Sequence, residues 1–304
     1  MDTLPTELHA YIFQSACSNE GVTIRALNTV SKYFCEVSRP YLYRNISISG
    51  PSQITRLLDR LQNTPIHLRH IHHLFLSDVL DTQHAIRLSD IERSSITRII
   101  TLSSPTLRTF SLVASSPFSS TSLIACVFRT SFPHLQSLTI SGFYPFPSSA
   151  GRFPSLTHLH LEGNRNPQGL FQMSALEDAF PSLAELKVSG LGAAGAFLVE
   201  VEEALAGGEI YDGHSDCMTA TRLPPSVRRL IIQAGPEPSP SASLVSRETA
   251  AMKDFVMIKR LVALKSRKIS SDHGVELSIL DRSVALTSVN ELREGWLRRL
   301  TLET

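Results

Sequence analysis

The residues best suited by type and spacing to do chemistry are the glycines of Gly190-Leu-Gly192-Ala-Ala-Gly195. They follow a segment that reads as a strand, Leu183-x-x-Leu186-x-Val188, and precede one that reads as a helix. In that context glycines let the backbone approach a pyrophosphate at a helix N-terminus. Asp212 lies 212−195 = 17 residues beyond the last glycine, near the position of a ribose-binding acid. Three features oppose the reading. The leading strand belongs to a repeated pattern, the following Gly208-Glu-Ile-Tyr-Asp212 is a weak strand, and no second nucleotide-binding half is visible. The expectation is a Gly/Ala-rich loop before a helix, with a nucleotide-dependent enzyme built on Gly190–Gly195 as the remote alternative. His67, His70, His72 and His73 have metal-ligand chemistry. Successive strand side chains face opposite ways, so His72 and His73 cannot both ligate from one face, and no carboxylate or cysteine nearby completes a set. Gly213-His-Ser215-Asp-Cys217 lacks the second glycine and the leading strand of a nucleophile elbow. Neither a phosphate-binding G-x-x-x-x-G-K-[ST] nor an H-E-x-x-H is present. Cys17, Cys35, Cys126 and Cys217 form no C-x-x-C pair. The sequence therefore predicts a non-enzyme with no catalytic residues, no metal and no cofactor.

The chain that carries these residues has 304 positions, 42% of them hydrophobic, enough for one large domain or a small and a medium one. Lys and Arg number 29 against 28 Asp and Glu, a net charge of +1, which gives no global attraction to nucleic acid or anionic membrane. Met1-Asp-Thr-Leu-Pro5 has neither the basic nor the apolar region of a signal peptide, and no apolar run approaches the ~20 residues of a membrane span. The expected compartment is the reducing cytoplasm, the nucleus, or both.

The first fifty residues read as short helices. Pro5 sits in a first turn, where its missing N–H costs nothing, and Glu7 suits the positive helix end. Leu8, Ile12 and Phe13 recur at helical spacing, and after a polar break at Ser18–Gly21 come Ile24, Leu27, Val30, Phe34 and Val37, closed by Pro40. Fifty residues in short helices barely make a core alone, so leftover apolar surface favours a partner. Leu4-Pro-x-Glu7-Leu8-x-x-x-Ile12-Phe13, then Leu27-x-x-Val30-Ser31-Lys32-x-Phe34, then Leu42-Tyr43-Arg44-x-Ile46, resembles the F-box over residues 2–48. The resemblance implies a three-helix module that binds a Skp-type adaptor and, through it, a cullin. By it, Leu4, Pro5, Leu8, Ile12, Val30, Ser31 and Phe34 fall at adaptor-binding positions. The segment from Cys17 to Thr23 departs from the family pattern, with Asn19-Glu20-Gly21-Val22 where many members carry an acidic-Leu pair.

Residues 49–304 read as a repeat body. Ile71-x-x-Leu74-x-Leu76 recurs as Leu107-x-x-Phe110-x-Leu112, Leu135-x-x-Leu138-x-Ile140, Leu156-x-x-Leu159-x-Leu161, Leu183-x-x-Leu186-x-Val188, Val227-x-x-Leu230-x-Ile232 and Leu297-x-x-Leu300-x-Leu302. Tyr43-x-x-Ile46-x-Ile48 is a candidate first copy and Leu277-x-Ile279 a truncated one. Three copies begin Phe-Pro, at Phe132, Phe153 and Phe180. The last two apolar positions alternate as one face of a short strand requires, and stacked copies make a parallel sheet. Gln136, Thr139, His158 and His160 are expected to point away from the core. Helices are expected at Ile54/Leu57/Leu58/Leu61 after Pro51, at Leu123/Ile124/Val127/Phe128, at Leu198/Val201/Leu205 with Glu200, Glu202 and Glu203 outward, and at Phe255/Ile258/Leu261/Val262. Lys253 to Lys268 holds six Lys/Arg and one acid, Asp254, and reads as a solvated basic face, with contact to an acidic partner as the functional alternative. The anchors at 71, 107, 135, 156, 183, 227 and 297 are spaced by 36, 28, 21, 27, 44 and 70 residues; the middle three fit a leucine-rich repeat, while its usual asparagine is mostly missing, with Asn164 the one clear candidate. Gly235-Pro-Glu-Pro-Ser-Pro-Ser-Ala-Ser243 reads as a mobile insertion.

The predicted fold class is α/β: an N-terminal three-helix F-box-like module, then an irregular leucine-rich-repeat-like solenoid of parallel strands with helices. The resemblance implies a substrate-recognition subunit of a cullin–RING ubiquitin ligase, with an unknown protein substrate on the repeats, and the balanced charge and absence of a long apolar run predict neither nucleic acid nor membrane as partner. A repeat scaffold without a ligase role is the alternative.

Overall fold

A computed structural model describes residues 4–16, 21–79, 88–116, 119–147, 149–171, 175–206, 221–237, 244–266, 274–282 and 288–302. The chain is α/β: among the described residues, ten α-helices alternate with eight parallel strands that follow one another in chain order. It divides into two compact units, Met1–Leu135 with Leu286–Thr304, and Gln136–Ala285. Among the described residues no helix is long and apolar enough to cross a membrane.

The first unit begins with α1 (Thr6–Ala16), α2 (Val22–Leu27) and α3 (Lys32–Ser38), followed by β1 (Asn45–Ser49), α4 (Pro51–Asn63), β2 (His73–Ser77), α5 (Asp90–Ser103), β3 (Thr109–Val113) and α6 (Ser120–Arg129). The strands pair in register, so that Ile46, Leu74 and Phe110 form one row and Ile48, Leu76 and Leu112 the next. The helices bury the face the sequence predicts: Ile54, Leu57 and Leu61 on α4, and Leu123, Ile124, Val127 and Phe128 on α6. The sequence reading missed α5. Its signal is a capping box, in which Ser89 Oγ accepts from Glu92 N at 3.3 Å and Glu92 Oε2 accepts from Ser89 N at 2.7 Å.

A correction concerns the seventh repeat copy. Leu297-x-x-Leu300-x-Leu302 is no strand but part of α10 (Val289–Leu302). Leucines three apart suit a helix as well as a strand entry, and here Leu292, Trp296 and Leu300 extend the spacing to a helical stripe. A second capping box starts the helix: Ser288 N donates to Glu291 Oε2 at 3.0 Å and Glu291 N to Ser288 Oγ at 3.2 Å. Trp296 and Leu300 are buried against Phe75 of β2 and Val113 of β3, the Trp296 and Phe75 rings 5.8 Å apart. Phe75 alternates with Leu74 and Leu76, so α10 covers the sheet face opposite to theirs.

The second unit holds β4 (Ser137–Ser141), β5 (His158–Glu162), α7 (Ala175–Ala179), β6 (Glu185–Leu191), α8 (Gly195–Leu205), β7 (Arg229–Ala234), α9 (Leu244–Ser266) and β8 (Glu276–Leu280). Two aliphatic rows cross its strands: Leu138, Leu159, Leu186, Leu230 and Leu277, then Ile140, Leu161, Val188, Ile232 and Ile279. Leu277-x-Ile279 thus forms the last strand. A common turn leads into the Phe-Pro copies: the amides of Leu135, Leu156 and Leu183 donate to the carbonyls of Phe132, Phe153 and Phe180 at 3.5, 3.4 and 3.2 Å. All three phenylalanines are fully buried.

Glycines recur near the ends of the strands of this unit. Gly142, Gly163 and Gly190 stand two residues past Ile140, Leu161 and Val188, the first two just beyond β4 and β5 and the third within β6, with φ of 144°, 103° and 76°. The backbones approach so closely that a Cβ on Gly163 would lie 2.6 Å from the Gly142 carbonyl oxygen, and one on Gly235 3.0 Å from the Gly190 carbonyl. Gly235 falls one position later in its copy, three residues past Ile232, and the β6–β7 register shifts between Val188 and Leu191. At Gly163 no side chain fits, and its positive φ also favours glycine.

Three orientations differ from the sequence expectation. Gln136 and His158 are exposed, but Thr139 and His160 are buried, and His160 Nε2 lies 2.6 Å from Ser189 Oγ. Glu200 does not face outward: it is buried, and its carboxylate accepts from the amides of Gly169, at 2.7 Å, and Phe171. On α9 the buried residues are Asp254, Met257, Leu261 and Leu264, whereas Phe255 and Val262, expected on the packed side, are exposed. Cys17 to Glu20, Gly208 to Asp212, Gly213 to Cys217, residues 238–243 of the predicted insertion, and Arg267 and Lys268 of the basic segment lie outside the described residues.

Candidate docking surface and the remaining sites

The N-terminal helices complete a small core with few residues. Phe13 of α1 and Ile24 of α2 are buried, and around them His9, Phe13, Tyr33 and Phe34 form an aromatic box, with ring centroids 5.4–6.2 Å apart for the pairs His9–Phe13, His9–Tyr33, His9–Phe34 and Phe13–Phe34. His9 Nδ1 lies 3.0 Å from the Tyr33 hydroxyl, which ties α1 to α3. Gly21, at φ 77°, supplies the left-handed turn ahead of α2. The two amides of Leu8 and His9 both bond the Pro5 carbonyl, so the chain enters α1 through Pro5 as the sequence predicts.

The predicted adaptor-binding residues separate into three kinds. Leu8 and Ile12 on α1 and Leu4 just before it follow one another at four-residue spacing, exposed by 48, 48 and 46%, with Pro5 exposed beside them and Phe13 turned inward. Val30, 63% exposed, stands in the turn between α2 and α3. Ser31 caps α3, its Oγ accepting from Phe34 N at 3.1 Å. Phe34 is half-buried in the aromatic box and belongs to the module's core. Tyr11, Val22 and Tyr33 are exposed as well, and sequence reasoning missed them. The signal for Tyr11 was present: it continues the Leu4–Leu8–Ile12 stripe, whereas Tyr33 becomes visible only through its bond to His9. Seven large apolar or aromatic side chains on some thirty residues therefore face solvent after the module's own core is filled. Scattered apolar residues are ordinary on a surface, and this concentration makes the module a candidate docking surface.

The other candidate sites are occupied by the fold itself. β6 precedes and α8 follows the Gly190–Gly195 loop, as a dinucleotide turn requires. Yet the Arg165 guanidinium lies against Gly192, where a Cβ would come within 2.7 Å of its Nε, and Gly192 N donates to the Arg165 carbonyl at 2.8 Å. Gly192 is thus fitted to Arg165, while a Cβ on Gly195 would meet nothing within 4 Å. His73 Nδ1 lies 2.9 Å from Thr109 Oγ1. Burial, then the charges of His72, Arg44 and Arg108, bring its pKa down to about 3; burial, then Arg108, Arg44 and His70, bring that of His72 to about 4. Among the described residues no group of three or more His, Cys, Asp or Glu is placed to hold a metal ion. Burial raises the carboxyl of Glu162 at the end of β5, against the opposing effects of Lys187 and Ser141, and raises the Tyr144 phenol. Asp78, at the end of β2, is likewise raised by burial, while its bonds from Ser115 N, at 2.9 Å, and Ser116 N, at 3.3 Å, oppose the shift.

On the sheet face away from the leucine rows, Arg229 of β7 reaches Glu185 of β6 at 3.4 Å and Glu276 of β8 at 3.6 Å. These pairs are largely exposed and hold little energy, but they lay alternating charge across three strands. No family model, no curated protein and no solved structure matches the chain.

Proposed function

We propose that residues 1–48 are an F-box that docks on a Skp-type adaptor, and that the strand–helix units are degenerate leucine-rich repeats that hold a protein substrate of a cullin–RING ubiquitin ligase. The observation that carries the reading is the exposure of Leu4, Pro5, Leu8, Ile12 and Val30 around a module whose interior is already filled by Phe13, Ile24 and the aromatic box. Fifty residues with so small a core and so much apolar surface gain stability from a second protein. Parallel strands in chain order, each row in register, are what stacked repeats produce. The function is proximity: holding adaptor and substrate on one chain raises the effective concentration of a substrate lysine near the ubiquitin-charged enzyme. The chemistry of transfer resides in the partners, and this chain positions them.

The test is co-expression with a Skp-type adaptor and affinity capture read by mass spectrometry, for the natural chain and for Pro5→Ala/Ile12→Asp. Ile12 is about half exposed, so docking has about half its side chain still to bury, and a carboxylate there must also be desolvated. A hot-spot loss of ~2 kcal/mol or more corresponds to roughly 30-fold weaker binding. The double variant should keep its circular dichroism spectrum and lose the adaptor. Retention of adaptor by the folded variant, or no adaptor on the natural chain, overturns the proposal.

A further inference from the structure

Among the described residues the exposed large apolar side chains concentrate in two places. Leu4, Leu8, Tyr11, Ile12, Val22, Val30 and Tyr33 belong to the N-terminal helices; Met252, Phe255, Val256 and Val262 belong to α9, while Ile66, Ile91 and Phe143 lie singly. The α9 group is 62, 64, 42 and 58% exposed, in that order. α9 is held to its own unit by its opposite side, where Met257, Leu261 and Leu264 are buried, Met257 Sδ accepts from Ala194 N at 3.4 Å, and Asp254 receives Arg282 Nη2 at 2.7 and 3.0 Å. The exposed residues are thus not needed for its attachment.

Their arrangement specifies a partner. At 3.6 residues per turn, with Met252 set at 0°, Val256 falls at about 40°, Lys259 at about 340°, Phe255 at about 300° and Val262 at about 280°. The apolar stripe runs from Met252 to Val262, about 15 Å of helix, and the exposed Lys259 stands inside it rather than at its border. Lys253 and Lys265, also exposed, lie to either side. Asp254 is the only acid between Thr249 and Ser266, and it is engaged by Arg282, so the outward side of this stretch is apolar and cationic throughout. A lipid surface fits poorly, because membrane-surface helices keep their lysines on the polar side and Lys259 would point into the acyl region. A second copy of this chain also fits poorly, since pairing two such stripes brings cation against cation. A helix with its own apolar stripe and a carboxylate at its middle satisfies every group. One polar residue within an apolar seam sets register and partner choice, as in helical pairs.

We infer that the outward side of α9, centred on Phe255, Lys259 and Val262, is a docking surface for an amphipathic helix of a second protein that carries Glu or Asp in the middle of its apolar stripe. This surface is independent of the N-terminal module, so its failure and that of the adaptor reading are separately visible.

The test uses the full chain and two synthetic helical peptides with the same leucine stripe, one with Glu and one with Lys at its midpoint, followed by fluorescence anisotropy. The Glu peptide should bind roughly tenfold or more tightly than the Lys peptide, since a close desolvated charge pair contributes at least that factor. Lys259→Glu should reverse the preference, which requires gain as well as loss and therefore cannot be produced by misfolding. Phe255→Ser/Val262→Ser, with an unchanged circular dichroism spectrum, should weaken the favoured peptide. Equal affinities, no binding of either peptide, or a preference that Lys259→Glu leaves in place overturns the inference. So do sedimentation with phosphatidylserine vesicles that Phe255→Ser abolishes, which identifies a membrane face, and a concentration-dependent dimer lost in the same variant, which identifies self-association.

Discussion

Replacing Gly163 by alanine isolates the close approach of backbones in the second unit. Two costs add. The residue sits at φ 103°, where an L side chain is strained by about 1–3 kcal/mol. Its new Cβ would also meet the Gly142 oxygen, nitrogen and carbonyl carbon at 2.6, 2.7 and 2.8 Å, atoms of backbone that cannot rotate aside. Overpacking of that kind costs about a further 1–3 kcal/mol, so the sum is about 2–6 kcal/mol against a typical domain stability of about 5–15. For a unit of this size each kcal/mol lowers Tm by about 2–4 °C. Two alanine variants separate the contributions. Gly151 has φ 71° with nothing within 4 Å of its added Cβ, so Gly151→Ala carries strain alone, about 1–2 kcal/mol. Gly195, at the start of α8, has neither a positive φ nor a neighbour, so Gly195→Ala should be neutral or slightly stabilising. Thermal and urea melts followed by circular dichroism rank the three. If Gly163→Ala melts no lower than Gly151→Ala, the close packing of the strand ends is refuted.

Other perturbations report on other parts. His73 has its pKa lowered in the folded state, so its contribution is complete above the ordinary value of about 6.5 and is lost as pH falls toward about 3. Linkage over that window removes about 2 kcal/mol between pH 7.5 and pH 5, and His73→Gln should flatten the corresponding part of a stability-against-pH curve measured in urea. Trp296 is the only tryptophan and is buried against Phe75, so its emission reports the seating of α10: it should be blue-shifted in the natural chain and move to the red in Phe75→Ala without loss of the second unit's melt. Glu200→Ala leaves the Gly169 and Phe171 amides without their carboxylate and should cost about 2–4 kcal/mol by chemical denaturation, with Glu200→Gln intermediate.

The strands were the legible part of this chain. Six L-x-x-L-x-L copies, the candidate first copy at Tyr43 and the truncated one at Leu277 each become a strand, because turn residues set off each apolar pair and a two-residue period survives insertions of any length between copies. The copy at Leu297 failed for a local reason. It is preceded by Glu291, Glu294 and Trp296 rather than by a turn, and the S-x-x-E signature at Ser288 announces a helix. The same signature at Ser89 announced α5. The glycines were legible in principle, two residues beyond Ile140, Leu161 and Val188 and three beyond Ile232. Glu200 was not legible. Its neighbours Glu202 and Glu203 make an outward reading natural, and only the Gly169–Phe171 segment, thirty residues earlier, supplies the amides that hold it inside. On α9 the spacing revealed a stripe but not its direction, since both sides are apolar. The docking residues show the same limit: periodicity grouped Leu8, Ile12 and Phe34, and only the packed aromatic box separates the two that remain outside from the one within.

The seating of α10 on β2 and β3 gives synthesis of this protein an order. Val113 and Val289 are separated by 289−113 = 176 residues, and at about 5–20 residues per second the ribosome needs roughly 10–35 s to bridge them. For that interval Phe75 and Val113 lack the Trp296 and Leu300 side chains that pack against them. A nascent chain of this protein therefore carries a vacant site that the finished one closes, and chaperone engagement should end when residues 289–302 emerge.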